Sequence, residues 1–154
     1  MSTRSFHQGV VRLFLASTLL LAGVSGCLNR ASPEPEGALL AHIVSGPDAP
    51  QRVLMGLTQA LETSKAGYDV MVYLDVDAVA IAVRGGEDVK LMDWQSSRKL
   101  IADLVAADVP IYVCPRCLAT AGYQPEELRE GIELASPDRL FEWTDSARIV
   151  TLDH

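Results

Sequence analysis

From residue 39 onwards, short apolar runs alternate with stretches of helical periodicity, and no other feature constrains the fold of this chain as strongly. Residues 39–44, 68–74, 110–114 and 148–152 are four such runs. They are rich in Val, Ile, Leu and Tyr and edged by Gly, Pro, Ser or Asp, which reads as buried strand. Residues 48–66 carry Val53, Leu54, Leu57 and Leu61 at helical spacing, and Gly67 supplies the stop. Ser96 or Ser97 caps a second helix that runs to about Ala107, with Leu100, Ile101, Leu104 and Val105 on one face. Residues 115–121 read as a short helix ended by Gly122, and 125–129 as a helical turn closed by Gly131. Ser136-Pro137-Asp138 opens a last helix with a cap, a first-turn proline and an acid, ending near Trp143. Residues 76–83 fit either a short strand or a helical turn, and 84–93, with Gly85-Gly86, read as a loop. Strands separated by helices imply βαβ crossovers. The expected fold class is therefore α/β in three layers, a mainly parallel sheet of about five strands with helices on both faces.

The N-terminal segment has a different character. Arg4 and Arg12 precede an apolar stretch over residues 13–24, and the small pair Ser25-Gly26 precedes Cys27. A basic start, a short apolar region and small residues before a cleavage point make an export signal. The stretch is shorter than the roughly 20 apolar residues that span a bilayer. Cysteine directly after the small pair looks like the lipobox of bacterial lipoproteins. That resemblance implies a signal peptide over 1–26 and a diacylated Cys27 as the first mature residue, holding the protein to the cell envelope. Leu28 stands where an Asp would signal inner-membrane retention, so the outer membrane is favoured in a Gram-negative source. Residues 27–37, with Pro33 and Pro35, form a tether rather than a fold element, and 38–154 form the domain.

Removing residues 1–26 takes away two arginines and no acid, leaving 128 residues with 11 basic and 20 acidic side chains, a net −9. That length suits one compact domain. An acidic body lacks the clustered Lys and Arg that nucleic-acid binding rests on. It is also repelled by anionic headgroups, so attachment to the membrane falls to the lipid on Cys27. With only Cys114 and Cys117 left, the domain must fold by its hydrophobic core rather than by a disulfide framework.

Those two cysteines lie in Cys114-Pro115-Arg116-Cys117, where the third strand passes into a helix. In an open α/β sheet the carboxyl ends of the strands form the ligand crevice. A helix N-terminus presents unpaired N–H groups and partial positive charge, which favour a thiolate, and Arg116 adds a full charge. Cys117, one turn later, is placed to resolve an oxidised Cys114. The same pair also reads as buried core cysteines or as a closed disulfide. Zinc lacks ligands, since only Cys27, His42 and His154 stand beside the pair; no metal or cofactor is expected. Ser45 and Gly46 end the first strand, and either offer N–H groups to an anion or thiolate beside Cys114 or form a plain turn. His42, inside an apolar strand, reads as a core histidine. Asp75, Asp77, Glu87, Asp88 and Asp93 read as a solvated loop face, and Trp94 and Trp143 as packing or interface residues.

Several segments together resemble the DsrE/DsrF-like family: Ala41-His-Ile-Val-Ser-Gly-Pro-Asp48 with its following helix, Tyr68-Asp-Val-Met-Val-Tyr-Leu74, Val109-Pro-Ile-Tyr-Val-Cys114-Pro-Arg-Cys117, and Gly131-Ile-Glu-Leu-Ala-Ser-Pro137. The resemblance runs from about Leu39 to Leu152. It implies a DsrE-like fold and a cysteine, matched by Cys114, that carries persulfide sulfur between proteins. A sulfur-donor or thiol partner protein and a homo-oligomeric assembly are implied with it. The chain departs from the family in its export signal, in having two cysteines, in Asp77-Ala78-Val79 where Asp-Gly-Val is usual, and in Ala121-Gly122-Tyr123 where Arg-Gly is common. The expected function is an exported, membrane-tethered sulfur carrier or thiol-redox protein acting through Cys114. The alternative is a non-catalytic binding lipoprotein on the same fold.

Overall fold

A computed structural model of the chain describes residues 37–144 and 148–154. The expected signal peptide at 1–26, Cys27 and the tether residues 28–36 lie outside them. Strand β1 (Ala38–Ile43) leads into helix α1 (Pro50–Lys65), β2 (Asp69–Leu74), a 3-10 turn (Val76–Ala78) and the short α2 (Val79–Ala82). Then come α3 (Ser97–Ala106), β3 (Ile111–Val113), α4 (Pro115–Thr120), a second 3-10 turn (Pro125–Glu127), β4 (Ile132–Leu134), α5 (Pro137–Thr144) and β5 (Ile149–Asp153). The five strands form one sheet in the order β4-β3-β2-β1-β5, and every neighbouring pair is parallel. The α/β expectation holds.

Of the two readings open for residues 76–83, strand or helical turn, the helical one holds, and the fifth strand lies in a segment the sequence pattern left unassigned. Residues 76–82 are helical, and the missing strand is the three-residue β4, whose burial alternates through Ile132, Glu133 and Leu134. So short an edge strand leaves too little apolar pattern to register. Gly131 makes it reachable: its φ is +79°, and a Cβ there would overlap the Val105 side chain on α3.

One face of the sheet carries the main core. Leu39, Ala41, Ile43, Val72, Leu74, Ile111 and Val113 pack with Val53, Leu54 and Leu57 of α1 and Leu100, Ile101 and Leu104 of α3. Each large aliphatic side chain buried this way contributes roughly 1.5–3 kcal/mol relative to exposure. Side chains alternate faces along a strand, so the opposite face carries a polar row at the carboxyl end. His42 pairs in register with Tyr73 and Asp153, Tyr73 with Tyr112, and Tyr112 with Glu133. Helix α5 serves this second face. Its crossover returns from one sheet edge to the other, so a right-handed connection puts it opposite α1 and α3. Arg139 Nη2 lies 4.0 Å from Glu133 Oε2 in agreement.

Helix α3 begins by a device the local sequence did not reveal. Neither Ser96 nor Ser97 caps it through its own hydroxyl in the ordinary way. Asp88 Oδ1 instead accepts the Arg98 N–H at 3.0 Å. Buried Ser97 exchanges bonds with Val89, accepting its N–H at Oγ (2.9 Å) and donating its own N–H to the Val89 carbonyl (3.0 Å). The 84–93 loop is thereby pinned across the helix start.

Candidate functional site at the carboxyl edge of the sheet

Cys114 follows the last residue of β3 and is the N-cap of α4, with extended backbone angles (φ −60°, ψ 115°). Its amide donates to the Leu74 carbonyl of β2 at 2.9 Å and its carbonyl accepts from Leu118 at 3.0 Å. The backbone is therefore held from the sheet and from the helix at once. Pro115 suits the first helical position because no N–H is needed there. The Cys114 Sγ occupies the capping position of an Asp or Ser oxygen and accepts the Cys117 N–H at 3.3 Å. Both sulfurs are free thiols and both are partly exposed.

The two thiols are not equivalent. Burial pushes the Cys114 pKa up, but donors outweigh it and the net direction is down: the Cys117 thiol and N–H, the Tyr73 hydroxyl and the Arg116 N–H. Cys117 moves the other way, held above the ordinary thiol range by its hydrogen bond to Cys114 and by burial, against a downward pull from the Val76 N–H. Of the two, Cys114 therefore gives up its proton the more readily and Cys117 the less. Arg116 contributes a backbone N–H to Cys114, and its side chain is exposed.

Two further residues complete the site. Tyr73, at the end of β2, is held protonated; burial and then the Cys114 charge push its phenol pKa to about 12. A phenol that keeps its proton remains a donor to an anionic sulfur. Val76 takes φ +47°, a left-handed conformation that costs a β-branched residue roughly 1–3 kcal/mol. In that conformation its N–H acts on the Cys117 thiol and pulls its pKa down. Strain held beside a reactive group is a common mark of a functional site.

Behind Tyr73 stands a charged cluster. His42 Nδ1 bonds Asp153 Oδ1 at 2.9 Å, and Nε2 lies 3.1 Å from Asp75 Oδ1 but off the line of a hydrogen bond. The His42 ring meets Tyr73 at a centroid distance of 5.6 Å. Burial works against the imidazolium, yet the two carboxylates prevail and the His42 pKa is raised. His42 is therefore a partly buried histidine held between the carboxylates of Asp75 and Asp153 rather than an apolar core residue. Asp75 is likewise no solvated loop acid. Its side chain is only 20% exposed, as is that of Asp88.

Ser45 and Gly46 are differently engaged. The Ser45 N–H donates to the His154 carbonyl at 3.2 Å, which removes it from anion binding. Gly46 is required by close packing, since a Cβ there would sit 2.8 Å from the Asp77 Cβ. Among the described residues no hydrogen bond links either residue to the cysteines. An open cleft of about 640 Å³ begins at Val76, shaped also by Val79 and Tyr123 and carrying the carboxylates of Asp48, Asp77 and Glu87; neither cysteine lines it. Among the described residues no group of three or more His, Cys, Asp or Glu is placed to hold a metal ion, and no helix is long and apolar enough to cross a membrane.

Residues 38–152 match the DsrE/DsrF-like family. The chain belongs to that family. Protein YchN of Escherichia coli strain K12 is 29% identical over 91 residues, which span 59% of this chain and 75% of YchN. The Shigella flexneri protein of the same name gives the same figures. The crystal structure of the E. coli ychN protein superposes with a TM-score of 0.62 at 22% identity, over 77% of this chain and 100% of that one. A protein of unknown function from Methanobacterium thermoautotrophicum gives a TM-score of 0.56 at 16% identity, over 76% and 100%. At those identities the two structures speak for the fold alone.

In this DsrE/DsrF-like domain the sequence located the cysteine pair but missed Tyr73, Val76 and Asp153. Tyr73 carries one faint signal, its position at the carboxyl end of a strand neighbouring the cysteine strand. Val76 carries none, because nothing in a valine announces a left-handed backbone.

Proposed function

We propose that Cys114 carries sulfane sulfur or redox equivalents, with Cys117 as the resolving thiol, in an exported protein held to the cell envelope by lipid on Cys27. The observation that carries this reading is the Cys114 sulfur at the helix N-cap, accepting the Cys117 N–H at 3.3 Å while partly open to solvent. Membership of the DsrE/DsrF-like family supports it.

The Cys114 thiolate attacks the outer sulfur of a persulfide donor R–S–SH. A Cys114–S bond forms, the donor S–S bond breaks, and the donor leaves as its thiolate. The outer sulfur then passes to an acceptor thiolate, which restores the Cys114 thiolate. Alternatively the Cys117 thiolate attacks the inner Cys114 sulfur, hydrosulfide leaves, and the resulting disulfide needs two electrons from a dithiol reductant. Tyr73 and the Cys117 and Arg116 amides stabilise the sulfur anion at both stages. The carboxylates of the adjoining cleft favour a donor or acceptor segment that is neutral or basic. A homo-oligomer is part of the same proposal.

Treatment with a persulfide donor followed by intact mass measurement tests the chemistry. The wild type gains a sulfur atom, Cys114→Ser does not, and Cys117→Ser holds its sulfur longer. Equal loading of Cys114→Ser removes the proposal. Fractionation tests the address: Cys27→Ala should move the protein from membrane to soluble fractions, and an unchanged membrane pool rules lipid anchoring out. Solution scattering reads the assembly state.

A further inference from the structure

A second charged concavity, of about 420 Å³, runs beside α3 and shares no lining residue with the acidic cleft. Its charged wall is Arg84, Arg98 and Arg129, and Ile101, Ala102 and Val105 give it an aliphatic side. Glu130 also lines it and brings one negative charge against the three positive ones. Ten Lys and Arg lie between residues 37 and 154, so nearly a third of the domain's basic side chains meet here in an acidic protein.

These guanidiniums are positioned by neutral main-chain acceptors. Arg84 donates from Nη1 to the Leu128 carbonyl at 3.2 Å and from Nη2 to the Glu126 carbonyl. Arg129 donates from Nε to the Ile81 carbonyl at 3.1 Å, and Arg98 from Nη2 to the Gly86 carbonyl at 3.5 Å. The segments that bear them are fixed too, by the Val83–Leu128 bridge and by Arg84 and Arg129 amide bonds to the Glu127 and Ala82 carbonyls at 2.8 and 2.9 Å. A carbonyl orients a guanidinium without neutralising it, and each arginine keeps further N–H donors. Among the described residues none of the three forms an ion pair with a carboxylate within 4.0 Å. Asp88 offsets the charge only in part, since its carboxylate also serves the α3 amide and Lys90. Burial and then repulsion by Arg98 both act against the charged form of Arg129. Three positive forks held together, with only Asp88 and Glu130 to offset them and no direct ion pair, keep a positive excess that an anion completes.

We propose that this groove binds a small organic phosphate, its dianionic head between Arg84, Arg98 and Arg129 and its apolar portion along Ile101, Ala102 and Val105. Phosphate suits the wall better than carboxylate because it offers three oxygens and a second charge to planar bidentate donors. The volume falls in the range of ordinary small-molecule pockets.

Titration calorimetry of the full-length protein with n-butyl phosphate, inorganic phosphate and butyrate tests this at fixed ionic strength. Butyl phosphate should bind most tightly, inorganic phosphate more weakly for want of the apolar portion, and butyrate weakest. Arg98→Gln and Arg129→Gln should each weaken butyl phosphate by roughly tenfold, the loss expected for a charge-assisted bond. Arg52→Gln, an exposed arginine of α1 outside the groove, should bind as the wild type does. Arg98→Gln should also melt no lower than the wild type without ligand, which separates lost binding from lost folding. Absence of butyl phosphate binding, or equal binding by Arg98→Gln, overturns the proposal. So does binding to phosphatidylglycerol vesicles that butyl phosphate fails to displace, which would assign the groove to a lipid surface.

Discussion

The acidic cleft beside the cysteines and the arginine groove beside α3 are both open concavities of one small domain, yet they are charged in opposite senses and built by different means. The cleft is lined by carboxylates, while the Cys114 sulfur nearby is served by amides and a phenol. At the groove, full positive charges are fixed by carbonyls, outnumber the acids beside them and form no direct ion pair. The difference teaches that net charge says little about individual sites. In a chain with 20 acids and 13 bases, three of the bases still meet in one groove. The same chain stabilises a sulfur anion with dipoles, which leave no formal charge for a competing anion to occupy.

The comparison breaks most decisively if the two concavities fail to separate chemically. Cys114→Ser should abolish sulfur loading by intact mass and leave butyl phosphate affinity unchanged, whereas Arg129→Gln should do the reverse. A single variant that loses both would merge the sites.

A smaller effect sharpens the dipole half of the contrast. Tyr73→Phe removes a donor to the Cys114 sulfur, worth about 1 kcal/mol or somewhat more for an anionic acceptor. Sulfur loading near neutral pH should slow by roughly five- to tenfold and recover as pH rises, because fewer molecules carry the thiolate at a given pH. A pH–rate profile for Tyr73→Phe that overlays the wild type would remove the phenol from the site.

Val76→Gly comes next. Glycine relieves about 1–3 kcal/mol of left-handed strain and costs roughly 0.5–1 kcal/mol in unfolded-chain entropy. Val76 is exposed, so little packing is lost. The variant should melt higher, by an amount near 1 kcal/mol, and a lower melting temperature would contradict the strain reading.

The smallest expected effect is electrostatic. The folded His42 pKa is raised, so its stabilisation is fully present below the ordinary histidine value and is lost as pH rises through the folded pKa. His154, lowered by burial, contributes stability above the ordinary value and loses it on acidification. The difference in stability between wild type and His42→Gln should therefore shrink as pH rises above about 6.5. A difference constant from pH 5 to 9 would show that the carboxylates of Asp75 and Asp153 do not hold a proton there.

Legibility followed the length scale of the interactions. Strands β1, β2, β3 and β5 and helices α1, α3 and α5 carried enough periodicity to be read, within a residue or two at their ends. The family resemblance read from those segments holds over residues 38–152. Strand β4 was missed because three residues carry too little pattern and its position depends on Gly131 packing against Val105. At the site, a cysteine pair across a strand-to-helix junction is a local signal and was legible. The partners of those sulfurs were not. Tyr73 and Val76 come from β2 and the turn after it, His42 from β1 and Asp153 from β5, and only parallel register brings them together. The arginine groove escaped for the same reason, its three members being spread over 45 positions from Arg84 to Arg129.

The measurement closest to the central claim is the pH dependence of alkylation at each cysteine, read by peptide mass after brief exposure to iodoacetamide. Cys114 should react with a midpoint below the ordinary thiol value and below that of Cys117, which should titrate above it. Equal midpoints, or Cys117 ionising first, would contradict the assignment of Cys114 as the nucleophile.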